Sequence, residues 1–174
     1  MKLVNSQKWH LPSSARSGRS VTGIILHWTA SSNLLGTLSF MSSVRKGSYH
    51  FLIDLDGTVH SAVPKERAAW HTGRDGLRKN HCPDGWGIAN DVSIGIAFVC
   101  LGDGKQKITH SQITAAHELV ALLIERVPTL KWITTHRDCC PKARPVELLP
   151  SLAGWDWSSS GWSGLTVSPR PKGI

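Results

Sequence analysis

No apolar run in this sequence approaches the roughly 20 residues that a membrane-spanning helix needs, which argues against stable insertion in a bilayer. The first twenty residues, "MKLVNSQKWHLPSSARSGRS", carry charge but no apolar stretch behind it, so no secretory signal is read there. The expectation is a protein made in a cytoplasm and exported, if at all, by another route. Cysteine is scarce and badly spaced for cross-linking. Cys82, Cys100, Cys139 and Cys140 form no CxxC pair, and adjacent cysteines rarely bridge each other because the geometry is strained. A disulfide framework is therefore not expected, in keeping with a reducing compartment. There is no long Lys/Arg run, no aromatic RNA-binding pattern and no zinc-finger spacing, so nucleic acid is not an expected partner. Tyrosine is nearly absent: Tyr49 stands alone.

What is present is an ordinary globular composition with 40% hydrophobic and 18% charged residues, enough for one domain with its own core. The net charge of +8 points to an anionic partner such as nucleic acid, a cell-wall polymer or a membrane surface, or to a generally basic surface with no dedicated partner.

The apolar run "VTGIILHW" (21–28) predicts a buried strand with His27 near its C-terminal end. Leu34, Leu38, Met41 and Val44 recur at helical spacing, with Asn33 as N-cap and Gly47 as the stop. "YHFLIDLDGTVHSAV" (49–63) predicts a hairpin turning at Asp56-Gly57. Residues 64–92 read as a long loop region, and loops of that length usually carry function. "SIGIAFVC" (93–100) is a second buried strand. The clearest helix follows: Thr109 and Gln112 form a capping box. Ile113, Ala116, Val120, Leu123 and Val127 line one face, and Pro128 closes the helix. "KWITTH" (131–136) returns as a strand. The alternation predicts an α/β fold, a mixed central β-sheet flanked by helices.

Two of the nine histidines stand out by position. His27 and His136 each end an apolar strand, where side chains converge on the rim of an α/β sheet. Zinc favours imidazole presented from such rigid elements, and two ligands far apart in sequence can meet at one edge. His50 alternates to the face opposite Tyr49. Trp70 and His71, in "AWHTG", lie in the long loop and are read as lining a substrate-binding cleft.

Six segments, "IILHWTA", "YHFLIDLDGTVH", "AAWHTG", "NDVSIGIAFV", the "SQ" start of the long helix and "THRD" before a Pro-rich loop, occur in order. Together they resemble the zinc-dependent N-acetylmuramoyl-L-alanine amidases, the fold of short phage endolysins and peptidoglycan recognition proteins. The resemblance covers residues 21–150. It implies Zn2+ held by two histidines and a cysteine or aspartate. It also implies a zinc-activated water that cuts the amide between N-acetylmuramic acid and L-alanine of bacterial peptidoglycan. His27 and His136 match the histidine ligands. Tyr49 matches the tyrosine beside the zinc-bound water in phage-type members, and Lys142 the lysine that stabilises the developing oxyanion.

The chain departs from the family at Arg144. Phage-type members read "PKACP" where this chain reads "PKARP", so an arginine replaces the thiolate ligand. A guanidinium has no lone pair to offer a cation. Three readings follow. Glu147, Cys139 or Cys140 replaces the ligand; or the site binds zinc poorly and the protein is a wall-binding module; or the resemblance misleads and the cysteines are buried and inert. Ala97 is a second departure, standing where cytosolic relatives carry a glutamate, a role that Tyr49 would take as in the phage type.

The implied organisation is an N-terminal extension (1–20), an amidase-like catalytic domain (21–150) and a Trp/Ser/Gly-rich tail (151–174). The tail is too short to be a second domain and reads as a segment packing its indoles onto the first, with a wall-binding appendage as the alternative. The expected protein is a monomeric phage lysis enzyme that acts on the bacterial wall after release from the cytoplasm.

Overall fold

The computed structural model describes residues 1–72, 89–103, 105–136 and 166–167. Its centre is a seven-stranded mixed sheet in the order β1-β5-β4-β7-β3-β8-β9. These strands are β1 (Leu3–Asn5), β3 (Gly23–Trp28), β4 (Phe51–Ile53), β5 (Val59–Ser61), β7 (Ser93–Phe98), β8 (Trp132–Thr135) and β9 (Thr166–Val167). Only the β4–β5 hairpin is antiparallel; every other neighbour in this sheet is parallel. A separate antiparallel pair joins β2 (Ser13–Ser14) to β6 (Ala68–Ala69).

The strands β3 and β7 are mostly apolar and almost wholly buried because both faces of the sheet are covered, with His27 and Ser93 as their polar members. Strand alternation divides their side chains between two cores. Ile24, Leu26, Ile94, Ile96, Phe98 and Ile133 pack under α3 (His110–Arg126). On the opposite face, Leu52 and Val99 pack with Leu34, Leu38 and Met41 of α1 (Leu34–Val44). The register sets the parity across strands: Leu26 lies beside Ile96, so His27 lies beside Ala97. His27 therefore belongs to the α1 face.

Both long helices begin where the sequence signals them. Asn33 Oδ1 accepts from the Gly36 N–H, and Thr109 with Gln112 forms the reciprocal capping box. Gln112 is buried because its amide also donates to the carbonyls of Ile53 in β4 and of Val99 just beyond β7, tying α3 to the sheet. The end of α1 differs from the expectation. The left-handed cap is Arg45 (φ 52), two residues before Gly47, and Val44 is left 38% exposed.

The stretch before residue 21 supplies β1 to the main sheet and β2 to the small one. Arg16 is buried there. Its guanidinium donates to the carbonyls of Lys65, Asn90, Asp91 and Ser93. Desolvation lowers its pKa to about 10, opposed by nearby Asp91 and Glu66. In the tail, β9 extends the sheet beside β8. Cys100 is buried and unbridged. Among the described residues, no helix is long and apolar enough to cross a membrane.

Candidate active site

Three histidines from three parts of the chain meet at the C-terminal ends of β3 and β8. His27 is the fifth residue of β3, and His136 follows the last residue of β8 directly. They are 109 residues apart, yet their Nδ1 atoms face each other at 3.0 Å. The parallel β3–β8 pairing causes this, because it brings both strand ends to the same edge. His71, just beyond β6, is the third. Its Nδ1 lies 2.9 Å from Nε2 of His27. All three rings are buried, at 2%, 9% and 4% exposure for His27, His136 and His71.

His71 rests directly on the sheet at Gly95, where a Cβ would stand 2.5 Å from its Cγ. Its Nε2 lies 3.2 Å from Ser93 Oγ. Asn90, at the start of β7's short lead-in helix α2 (Ala89–Val92), holds the segment in place. Asn90 Oδ1 accepts from the His71 N–H, the Thr72 N–H and the Thr72 hydroxyl. Burial pushes the His71 pKa well below its ordinary value, with His50, His136 and Arg16 adding to the effect.

Behind His71 lies His50, fully buried, with ring centroids 5.7 Å apart. His50 Nδ1 accepts from the Gly95 N–H, and its Nε2 faces the Arg67 carbonyl. Burial and the neighbouring Arg16 guanidinium lower its pKa to about 3. His50 is therefore neutral and supports the floor of the site.

Tyr49 stands on the open side, its ring 5.1 Å from that of His27 and tilted by 52°. It also lines a groove of about 460 Å3 with Thr29, Ser31, Thr37, Phe40 and Lys46. Phe40 is 63% exposed, so α1 presents an apolar wall to that groove. Ala97 is buried beside His27 and brings no carboxylate to the site.

The structure thus brings together His27, His136, Tyr49 and His71. The indole N–H of Trp70 donates to Ser14 Oγ on β2. Lys142 lies outside the described residues, as do Arg144 and the candidate ligands Glu147, Cys139 and Cys140. Among the described residues, no group of three or more histidine, cysteine or acidic side chains is placed to hold a metal. His71 does not supply a third ligand, because it faces the ring nitrogen of His27 that points away from His136. Sequence reading missed Asn90, Ser93 and Gly95. They sit inside a quoted motif, "NDVSIGIAFV", but nothing local distinguishes a small residue under a ring from a small residue in a strand.

The donor set fits a zinc ion as far as it is described. Two ligand nitrogens on a tetrahedral zinc stand about 3.3 Å apart, given bonds of about 2.0–2.1 Å. The two Nδ1 atoms are within a few tenths of an ångström of that spacing.

Comparison with known proteins agrees with this architecture. No curated protein matches the sequence. Among solved structures, the amidase LysC from Clostridium intestinale URNW superposes with a TM-score of 0.55 at 21% identity, over 81% of this chain and 89% of LysC. Bumblebee PGRP-SA gives 0.59 at 16% identity, over 98% and 99% of the two chains. The Ph2119 endolysin from Thermus scotoductus MAT2119 bacteriophage Ph2119 gives 0.57 at 20% identity, over 80% and 91%. At these identities the likeness establishes the fold. The family profile described as N-acetylmuramoyl-L-alanine amidase matches residues 17–145, a span that contains both facing histidines, Tyr49 and the strands β3, β4, β5, β7 and β8. This chain belongs to the N-acetylmuramoyl-L-alanine amidase family.

Proposed function

We propose that this protein hydrolyses the amide joining N-acetylmuramic acid to L-alanine in bacterial peptidoglycan, as a zinc-dependent phage lysis enzyme. The observation that carries the proposal is the facing pair of Nδ1 atoms on His27 and His136, beside the only tyrosine and next to a groove. His27 and His136 would hold the metal. Bound zinc lowers the pKa of a coordinated water to about 7 and polarises the amide carbonyl. Tyr49, which lines the groove and neighbours His27, orients the attacking water, and Lys142 neutralises charge that develops on the carbonyl oxygen. The groove, within the 300–1,000 Å3 usual for ligand sites, receives the stem peptide against Phe40. The phage role rests on Tyr49 and Lys142, which match the phage-type pattern while Arg144 departs from it, and that role would put the working protein at the wall after release from the cytoplasm.

Arg144 supports a second reading, a peptidoglycan-binding module with an impaired zinc site. One pair of measurements separates the two: zinc content of the purified protein, and loss of turbidity in a cell-wall suspension. The enzyme reading expects bound zinc and clearing. It also expects His27→Ala and His136→Ala each to lose zinc on dialysis. Tyr49→Phe should keep zinc and wall affinity while lowering turnover, because only transition-state interactions are removed. Retention on walls without clearing or zinc supports the binding module.

A further inference from the structure

His71 belongs to the assembled site, yet its buried ring meets His27 rather than the groove. The hydrogen bonds around it run in one direction, and that direction can be read from its far end. The Ser93 hydroxyl donates to the Ala89 carbonyl, which only accepts. That hydroxyl has no second proton, so toward His71 it is an acceptor, and His71 Nε2 carries the N–H. A neutral imidazole has one N–H, so Nδ1 of His71 is the lone-pair nitrogen. It accepts from Nε2–H of His27 across 2.9 Å. The remaining nitrogen of His27, Nδ1, is then the lone pair, and it is the atom aimed at His136.

We infer that His71 is a positioning residue. Through Ser93, it fixes His27 in the one tautomer whose Nδ1 can donate to a cation shared with His136. Gly95 makes this arrangement possible by leaving room for the ring directly on the sheet. Asn90 adds the orientation by holding the backbone N–H groups of His71 and Thr72. The role differs from that of a group lining the substrate cleft, because both ring nitrogens of His71 are already engaged inside the protein. Ligand histidines commonly give their second N–H to a carboxylate, carbonyl or water, a place that the His71 imidazole takes here, and removal of such an acceptor typically weakens metal binding about 10–100-fold.

The inference rests on the reading that His27 binds zinc, so its test includes an arm that needs no metal. The imidazole 15N resonances of the metal-free full chain should show His27 protonated on Nε2. His71→Leu removes the acceptor, and the His27 tautomers should mix. His71→Asn restores an acceptor oxygen where Nδ1 stands, so it should recover the parental tautomer. His71→Gln keeps a polar side chain of similar length but presents its amide at the Nε2 position, so it should behave like His71→Leu. It also serves as the test variant if His71→Leu does not fold. In chelator competition, zinc affinity should fall about 10–100-fold in the Leu and Gln variants and stay near the parent in the Asn variant. Folded Leu or Gln variants with parental His27 resonances and parental zinc affinity would overturn the inference. A parent that shows the Nε2–H tautomer, lost in those variants, but binds no zinc would sink the zinc reading while leaving the positioning role intact.

Discussion

Substituting Gly95 by alanine tests the architecture of the site with the smallest change available. A Cβ at this position would stand 2.5 Å from His71 Cγ and 2.8 Å from both Cδ2 and Nδ1. Ordinary van der Waals contact begins near 3.4 Å, so the ring must withdraw by about 0.9 Å. A displacement of that size is enough to stretch the 2.9 Å bond to His27 to the limit of about 3.5 Å at which it ceases to count. The ring has little room to yield, since His50 stands behind it and Asn90 grips its backbone. Overpacking of this kind costs about 1–3 kcal/mol. For a chain of this size, that corresponds to a fall in Tm of roughly 2–4 °C per kcal/mol. The assay is urea unfolding of four proteins: parent, Gly95→Ala, His71→Ala and the double variant. Removing the His71 side chain beyond Cβ takes away the atoms that the new methyl group would strike. Gly95→Ala should therefore cost at least ~1 kcal/mol less in the His71→Ala background, a coupling expected only of groups in contact. An equal cost in both backgrounds would refute the claim that His71 sits on Gly95.

Three other outcomes are expected. His50 is held neutral to about pH 3 in the folded state, whereas the unfolded chain takes up that proton near pH 6.5. Its contribution to stability is complete above that pH and is lost as pH falls; between pH 6.5 and 5, where carboxylates stay ionised, unfolding free energy should drop by up to ~1.4 kcal/mol per unit. Urea titrations across that range should show a shallower slope for His50→Gln, and an unchanged slope would remove His50 as the cause. Arg144→Cys should raise zinc affinity in chelator competition and speed wall clearing, since it restores the thiolate of the phage-type pattern. If the parent already binds zinc tightly and the variant is no better, a substitute ligand is at work, and Glu147→Ala with Cys140→Ser identifies it. Retention on isolated walls should weaken steeply with added salt if the +8 charge drives binding, because exposed charges are screened beyond about 8–10 Å. Salt-independent retention would assign recognition to the groove.

Elements whose signals lie within a few residues were legible in the chain. The capping box at Thr109 and Gln112, the Asn33 cap and the turn at Asp56-Gly57 all rest on bonds that close locally. So do the apolar runs of β3 and β7, since burial on both faces leaves no polar alternation to obscure them. The end of α1 was less legible. A left-handed cap needs one residue with positive φ, and Arg45 adopts it ahead of the glycine better suited to it. The short strands within the first twenty residues were not legible, because strands of two or three residues have no period to detect.

The placement of His27 and His136 at strand ends was determined by the sequence alone, because apolar length and position along a strand are local properties. That their Nδ1 atoms meet at 3.0 Å was decided by the tertiary structure, through the parallel pairing of β3 with β8 across 109 residues. The partnership of His71 with His27 was likewise invisible in the chain. It depends on an empty Cβ position at Gly95, a hydroxyl at Ser93 and an amide at Asn90. Each of these is unremarkable in sequence and acquires its meaning only when the sheet brings it under the ring. Hydrogen bonds and steric room are properties of distance in space, and distance along the chain does not encode them.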